Sequence, residues 1–192
     1  MTTLMAEQTQ IDNEAELARL AVTDADAFAE LYRRNVTRVY RYHVAHIGNA
    51  KDAEDLTSQT FIAALEGIRS YRGTGSFAAW IMGIASKRRL MYFRRRGNRH
   101  EVELDAAVHI PSPSLPTDKA AYQRLKLESI SRALKKISPD RAEAIILSFF
   151  GGLSNLEASR VMNKTEAAVK MLISRGLQDL RERTSLALEV ER

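Results

Sequence analysis

Three of the chain's four prolines, Pro111, Pro113 and Pro116, fall within Asn98 to Lys119, a serine-bearing stretch with no helical period. Proline fixes φ and removes an amide donor, so this stretch cannot run through a helical core and is predicted to be a linker. On both sides of it apolar residues recur at spacings of three and four, the period of amphipathic helices. The chain is therefore constrained to an all-α fold of two small helical domains joined by a flexible linker, with boundaries at 14–97, 98–121 and 122–183. Extended at about 3.3 Å per residue, the linker would reach roughly 70 Å.

Charge is distributed along the same division. Residues 1–97 hold 14 Lys and Arg against 11 Asp and Glu, residues 122–183 hold 12 against 7, and residues 98–121 hold 2 against 4. Two basic modules around an acidic connector suit two contacts with one long polyanion. The densest basic run, Lys87 to Arg99, has seven cations (Lys87, Arg88, Arg89, Arg94, Arg95, Arg96 and Arg99) and no acid. Tyr92 and Phe93 interrupt it, a mixture that suits a nucleic-acid strand, since phosphates take the charge while unstacked bases can lie on rings. Cations complementing a helix C-terminus would be the plainer explanation, but that effect fades within the last turn and this run is longer.

The absence of cysteine excludes disulfides, thiolate nucleophiles and thiolate metal sites, and fits a reducing cytoplasm. The N-terminus has no basic start followed by an apolar core, so no secretory signal is read there. The longest apolar run, Ala142 to Leu153, is interrupted by Glu143, Ser148 and two glycines, and falls short of the roughly 20 residues a bilayer span needs. No membrane insertion is expected.

In the first module two helices are expected between Glu14 and Tyr42, the second packing Phe28, Leu31 and Tyr32 inward after an N-cap at Thr23 to Asp26. His43 and His46 lie at i, i+3 but lack a clear third ligand, so they read as surface or half-buried histidines rather than metal ligands. A third helix is predicted from Asn49 to Ile68, with Asp52, Glu54 and Asp55 at its start and Leu56, Phe61, Ile62 and Leu65 as its buried stripe. Those carboxylates have no companion nucleophile or phosphate-cradling loop, so no catalytic residues are assigned and no cofactor is expected. They read as a structural cap or a docking surface for a basic partner. Arg69 to Ser76 is a glycine-containing loop whose Tyr71 and Arg72 could hold a flipped base or could simply pack. Next comes a helix with Phe77, Trp80, Ile81, Ile84 and Arg88 on one face, ending at Gly97-Asn98.

The second module begins with a helix from Tyr122 to Lys136 carrying Leu125, Leu127, Ile130 and Leu134. Ser138-Pro139-Asp140 opens another, with Ala142, Ile145, Ile146 and Phe149 as its buried side and Gly151-Gly152 as its stop. Ser154 to Glu157 has capping-box spacing and starts a short helix through Met162. After a turn at Asn163 to Thr165, a helix from Glu166 to Arg183 buries Val169, Leu172, Ile173, Leu177 and Leu180 while exposing Lys170, Ser174 and Arg175. Short helix, tight turn and longer helix with a basic outer face is the helix-turn-helix layout.

These blocks, in this order, resemble the extracytoplasmic-function (ECF) sigma factors of bacterial RNA polymerase. DAFAELYRRN (Asp26 to Asn35), DAEDLTSQTF (Asp52 to Phe61), YRGTGSFAAW (Tyr71 to Trp80) and the run from Ile84 to Arg96 look like the family's region two. The segments Ile137 to Val161 and Thr165 to Arg181 look like its region four. The resemblance implies that Asp52, Glu54, Asp55 and Gln59 dock on core polymerase. It implies that Tyr71, Arg72, Lys87, Arg88, Tyr92, Arg94, Arg95 and Arg96 meet the minus-ten side of a promoter, where Tyr71 and Arg72 take a flipped base. Thr165, Lys170, Ser174 and Arg175 would meet the minus-thirty-five side. Core RNA polymerase and promoter DNA, both duplex and melted, are the implied partners, and an anti-sigma factor is common in the family. Departures from the family pattern include Lys87 for asparagine, Leu172 for arginine, Gln59 for an acid and Asn163 for the turn glycine.

The expectation is a non-enzymatic, cytoplasmic promoter-specificity subunit. Three other readings are open on sequence alone: a free-standing helix-turn-helix regulator, a metal-dependent hydrolase using His43 and His46, and an RNA-binding basic protein.

Overall fold

The computed structural model describes residues 14–99 and 118–190. The remainder of the predicted linker, 100–117, lies outside them. Helix α1 covers residues 14–20. Helix α2, Ala25–Ile47, starts at Asp24, whose Oδ1 accepts from the Asp26 amide at 2.9 Å, and stops at Gly48 with φ 74°. Asn49 caps α3, Ala50–Gly67, through the Asp52 amide. A single 3-10 turn, Ile68–Ser70, leads by a loop to α4, Phe77–Arg99. Helices α5 (Asp118–Leu134), α6 (Pro139–Phe149), α7 (Asn155–Met162) and α8 (Glu166–Val190) complete the order. The capping box at Ser154 and Glu157 is formed in both directions, which fixes the start of α7.

Two helix ends differ from expectation. Helix α4 passes through Gly97 and Asn98, and α5 begins at Asp118, inside the stretch predicted as linker. One glycine costs a helix only about 1 kcal/mol, and an aspartate favours a helix start, so neither signal fixes a boundary by itself.

The two modules share one core. Leu31, Val39, Tyr42, Phe77, Ile81 and Met82 from the first module are buried in the same cluster as Leu134, Ile145, Ile146, Leu147, Leu153 and Val169 from the second. Helices α2 and α4 lie in the middle. They pack against α3 on one side and against α5, α6 and α7 on the other, while α8 packs on α6 and α7. Close approach is built from small residues. A Cβ on Gly176 of α8 would lie 2.7 Å from Ile145 Cδ1 of α6, and one on Gly151 would lie 3.1 Å from the Met82 methyl of α4.

Several predicted stripes are rotated. Ile62 and Leu65 are more than half or about half exposed, while Ala53, Thr57, Thr60 and Ala64 fill the buried face of α3. Small residues let α3 sit close to α2, which turns the larger aliphatics outward. Tyr32 is also exposed, laid edge-on against Phe61. Phe149, Leu125 and Leu177 face outward too. In α6 the buried side is Ala142 to Leu147, including Glu143, because α6 is covered by α8 on one flank and by the first module on the other.

Of the two histidines on α2, His46 is half-buried, as expected, whereas His43 is drawn fully inside. His43 is fully buried, and its Nε2 lies 3.0 Å from Thr60 Oγ1. The Thr60 hydroxyl donates to the Leu56 carbonyl at 2.7 Å, so the imidazole Nε2–H must be the donor to Thr60. That leaves Nδ1 bare in an apolar site. Burial therefore pushes the His43 pKa down to about 3, with the neighbouring His46 and Arg89 charges acting in the same direction.

Candidate nucleic-acid interface

The loop after the 3-10 turn is folded onto the start of α4. Gly73 and Gly75 have φ of 71° and 88°, values that an L side chain adopts only with strain. This lets the Tyr71 hydroxyl donate to the Gly75 carbonyl at 2.8 Å. The Tyr71 ring stands against Phe77 and Trp80, with centroids 5.6 and 5.5 Å away. Tyr71 is thus half-buried, and burial followed by the Glu14 charge raises its pKa. Arg72, beside it, is exposed.

Nearly three turns into α4 the apolar face gives way to cations. Lys87, Arg94, Arg95 and Arg96 are exposed and Arg88 is half-buried. Tyr92 turns toward α3, where its hydroxyl donates to Asp52 Oδ2 at 2.7 Å. Arg96 Nη1 lies 2.6 Å from the Tyr92 oxygen and 3.3 Å from Asp52 Oδ2. Arg89 leaves the cluster altogether. Its Nε donates to the Tyr42 hydroxyl at 3.1 Å, and its Nη2 lies 2.9 Å from Glu143 Oε2.

In the second module α7 and α8 meet at Asn163, which takes the left-handed conformation with φ 52° and fills the role usually given to glycine. Thr165 Oγ1 accepts from the Ala168 amide at 3.2 Å, capping α8. Lys170, Ser174 and Arg175 follow on the exposed face, Lys170 pairing with Glu166 at 3.1 Å. This face points away from the shared core. On α3, Glu54, Asp55 and Gln59 are exposed, whereas Asp52 is held by α4. Asp55, Gln59 and Ile62 follow one another at spacings of four and three, so the outward aliphatics continue the acidic face. Helical spacing alone places Ile62 and Leu65 in the core, and so misses this patch.

A second cluster has no signal in local sequence. Glu143, alone in the apolar run of α6, buries its carboxylate against α2 and α4. Tyr42 donates to its Oε1 at 2.8 Å, and His46 Nε2 lies 3.0 Å from Oε2. The Arg89 and His46 approaches to Oε2 are off the hydrogen-bond line, so Arg89 acts as a charge contact while the His46 ring lies against the same oxygen. Burial alone would raise the Glu143 pKa, but His46, Arg89 and Tyr42 together hold it below the usual carboxylate range. His46 is pushed down chiefly by burial, against the pull of Glu143. Among the described residues no group of three or more His, Asp and Glu is placed to hold a metal ion. No described helix is long and apolar enough to cross a membrane.

The family description Sigma-70 region 2 matches residues 31–99, and Sigma-70, region 4 matches residues 127–180. The chain is 30% identical over 173 residues to the RNA polymerase sigma factor CarQ of Myxococcus xanthus, covering 87% of this chain and 95% of CarQ. The chain belongs to the ECF sigma factors. It is also 32% identical over 163 residues to the ECF RNA polymerase sigma factor BldN of Streptomyces coelicolor, spanning 84% of this chain but only 62% of BldN. Among solved structures, RpoE of Bartonella quintana, in complex with the anti-sigma factor NepR, superposes with a TM-score of 0.62 at 22% identity over 86% of this chain and 98% of that one, which bears on the fold alone. The region-two match ends with the basic helix α4, and the region-four match takes in α6, α7 and α8 as far as residue 180, the helices that carry the two candidate surfaces.

Proposed function

We propose that this sigma factor directs core RNA polymerase to specific promoters and initiates transcription, without enzymatic activity of its own. Residues 14–97 act as the polymerase-binding and minus-ten domain, 98–121 as linker and 122–183 as the minus-thirty-five domain. The observation that carries this is the presence of both sigma regions, in order, on a chain whose two cationic surfaces face outward. On α3, Glu54, Asp55 and Gln59 dock on core polymerase, with Asp52 bracing the surface from behind. Arg72, Lys87, Arg88 and Arg94 to Arg96 hold the melted strand, while Tyr71 and Tyr92 supply rings for its bases. Base stacking worth roughly 1–3 kcal/mol each offsets the few kcal/mol of unpairing, so opening needs no ATP. Thr165, Lys170, Ser174 and Arg175 meet intact duplex through a recognition helix. The site of action is the cytoplasm, where polymerase and promoters are. An anti-sigma factor is a further partner on this reading, as NepR is of RpoE, whose fold this chain shares.

The test is reconstitution. Purified protein and core polymerase are incubated with fragments of the source genome, and the transcripts are sequenced. Initiation at a defined set of start sites is expected, and failure of the protein to bind core polymerase would end the proposal.

A further inference from the structure

Beside the loop that carries Tyr71 and Arg72 lies a buried polar pair that neither the core nor the proposed promoter contacts explain. Asn35, in the middle of α2, is fully buried, and its Nδ2 donates to the Leu31 carbonyl at 3.0 Å and to Glu14 Oε1 at 3.4 Å. Glu14, the first residue of α1, is itself only 5% exposed. Asn35 Oδ1 has no partner among the described residues. A buried carboxylate and a buried amide cost stability that an apolar pair would not, so packing alone does not account for them.

Their neighbours supply a use. Ala15, the next residue of α1, lies against the loop: a Cβ built on Gly73 would meet Ala15 Cβ at 3.9 Å, and among the described residues nothing else beyond its chain neighbours comes within 4 Å. The Glu14 charge is felt at the Tyr71 hydroxyl, where it adds to burial in raising the pKa. Ala18 and Ala21 carry the same segment into the core. The segment is thus anchored by packing at its far end and by Asn35 at its start, where Gly73 rests on it.

We propose that Glu14 is a positioning residue for base capture: held by Asn35, it seats the first turn of α1 against Gly73 and so fixes the loop that presents Tyr71 and Arg72 to a flipped base. The inference rests on the assignment of that loop to base capture. Its physical ground is entropy. Gly73 and Gly75 take left-handed backbone, with φ of 71° and 88°, and glycine loses more conformational freedom on ordering than any other residue. The Tyr71 hydroxyl and the Gly75 carbonyl close the loop, and Ser76 Oγ accepts from the Ala79 amide at 3.1 Å at the start of α4. Between those ties Arg72, Gly73 and Thr74 are exposed, and α1 is the neighbour that limits them. A loop ordered before the base arrives spares the complex that cost at binding.

The test uses core polymerase carrying the full chain, and single-stranded oligonucleotides of the non-template strand across the minus-ten element of a promoter found by transcript sequencing. Each nucleotide is replaced in turn by an abasic site. The native holoenzyme should bind the intact strand roughly 5- to 150-fold more tightly than the strand that is abasic at the captured position, the range that stacking of one base supplies. Glu14→Ala should cut that ratio several-fold, while affinity for the abasic strand and for core polymerase stays native. Glu14→Gln keeps an acceptor for the Asn35 amide and should restore most of the ratio. A native ratio in Glu14→Ala protein of native helicity, equal weakening on both strands, or a loss in Glu14→Gln as large as in Glu14→Ala overturns the proposal. Should Glu14→Ala not fold, Ala15→Leu decides: its longer side chain should displace Gly73 and lower the ratio, and an unchanged ratio overturns the proposal. A native holoenzyme that discriminates at no position ends the base-capture reading itself, whereas discrimination shown by the native protein and kept by every variant ends only the role of Glu14.

Discussion

The Tyr92 hydroxyl is bonded to the Asp52 carboxylate at 2.7 Å, tying the helix proposed to hold DNA to the helix proposed to hold polymerase. Arg96 closes the triangle through both oxygens. Tyr92→Phe removes the hydroxyl while keeping the ring. A half-exposed hydrogen bond to a charged group should contribute about 1 kcal/mol, so the urea midpoint should fall slightly. The larger effect is expected in function, since α4 loses its brace on α3: open-complex lifetime should shorten while binding to core polymerase stays near the native level.

Acid should destabilise the fold well before general carboxylate protonation. The folded pKa values of His43 and His46 lie below the ordinary 6.5, so the unfolded chain binds protons more readily than the native one. Stability from these groups is full above about pH 6.5 and is lost as pH falls toward the folded values, at roughly 1.4 kcal/mol per pH unit per group. Glu143 has the same sign, with its depressed carboxyl giving stability that is lost as pH falls from its ordinary 4.5 through its folded value. Urea titrations should show a midpoint that is level from about pH 7.5 to about pH 6.5 and falls from there to about pH 5, and His43→Asn should flatten the fall.

Two glycine substitutions should have opposite signs. A methyl added at Gly83 in α4 would enter open space, with no atom within 4 Å, so Gly83→Ala should stabilise by about 0.5–1 kcal/mol. At Gly176 the same methyl would meet Ile145 Cδ1 at 2.7 Å and Arg141 Cβ at 3.1 Å. The helical gain of about 1 kcal/mol is then outweighed by overpacking of about 1–3 kcal/mol. Thermal melts of both variants would separate the cases.

Promoter contacts should divide by module. Lys170→Ala and Arg175→Ala should weaken upstream duplex binding and each lower the salt-dependence slope by about one. Tyr71→Ala should impair strand opening, read by permanganate reactivity of unpaired thymines, with upstream binding retained. Equal loss of both steps in all three variants would contradict the assignment of surfaces to modules.

Most of the helices, the caps at Asp24 and Ser154 and the turn at Asn163 were legible because each depends on residues within four positions of one another. What faces the core was legible only where one partner covers a helix. Helix α3 turned Ile62 and Leu65 outward because alanines and threonines made the close approach. The isolated charge in α6 looked like an interruption and proved to be a buried contact. Its partner Tyr42 is 101 positions away, and nothing in local spacing announces such a pairing. Of the candidate site residues, Lys87 and Arg94 to Arg96 lie exposed as a cationic end of α4 should, while Tyr71 and Tyr92 have partners within the fold that their sequence neighbourhoods do not reveal.

The methyl of Met82 seated over Gly151 means that the two halves of this chain were shaped against each other. Hybrid factors made by grafting the upstream-reading half of one such protein onto another would import half of a fitted joint. Their resting shape would change along with the sequence they read.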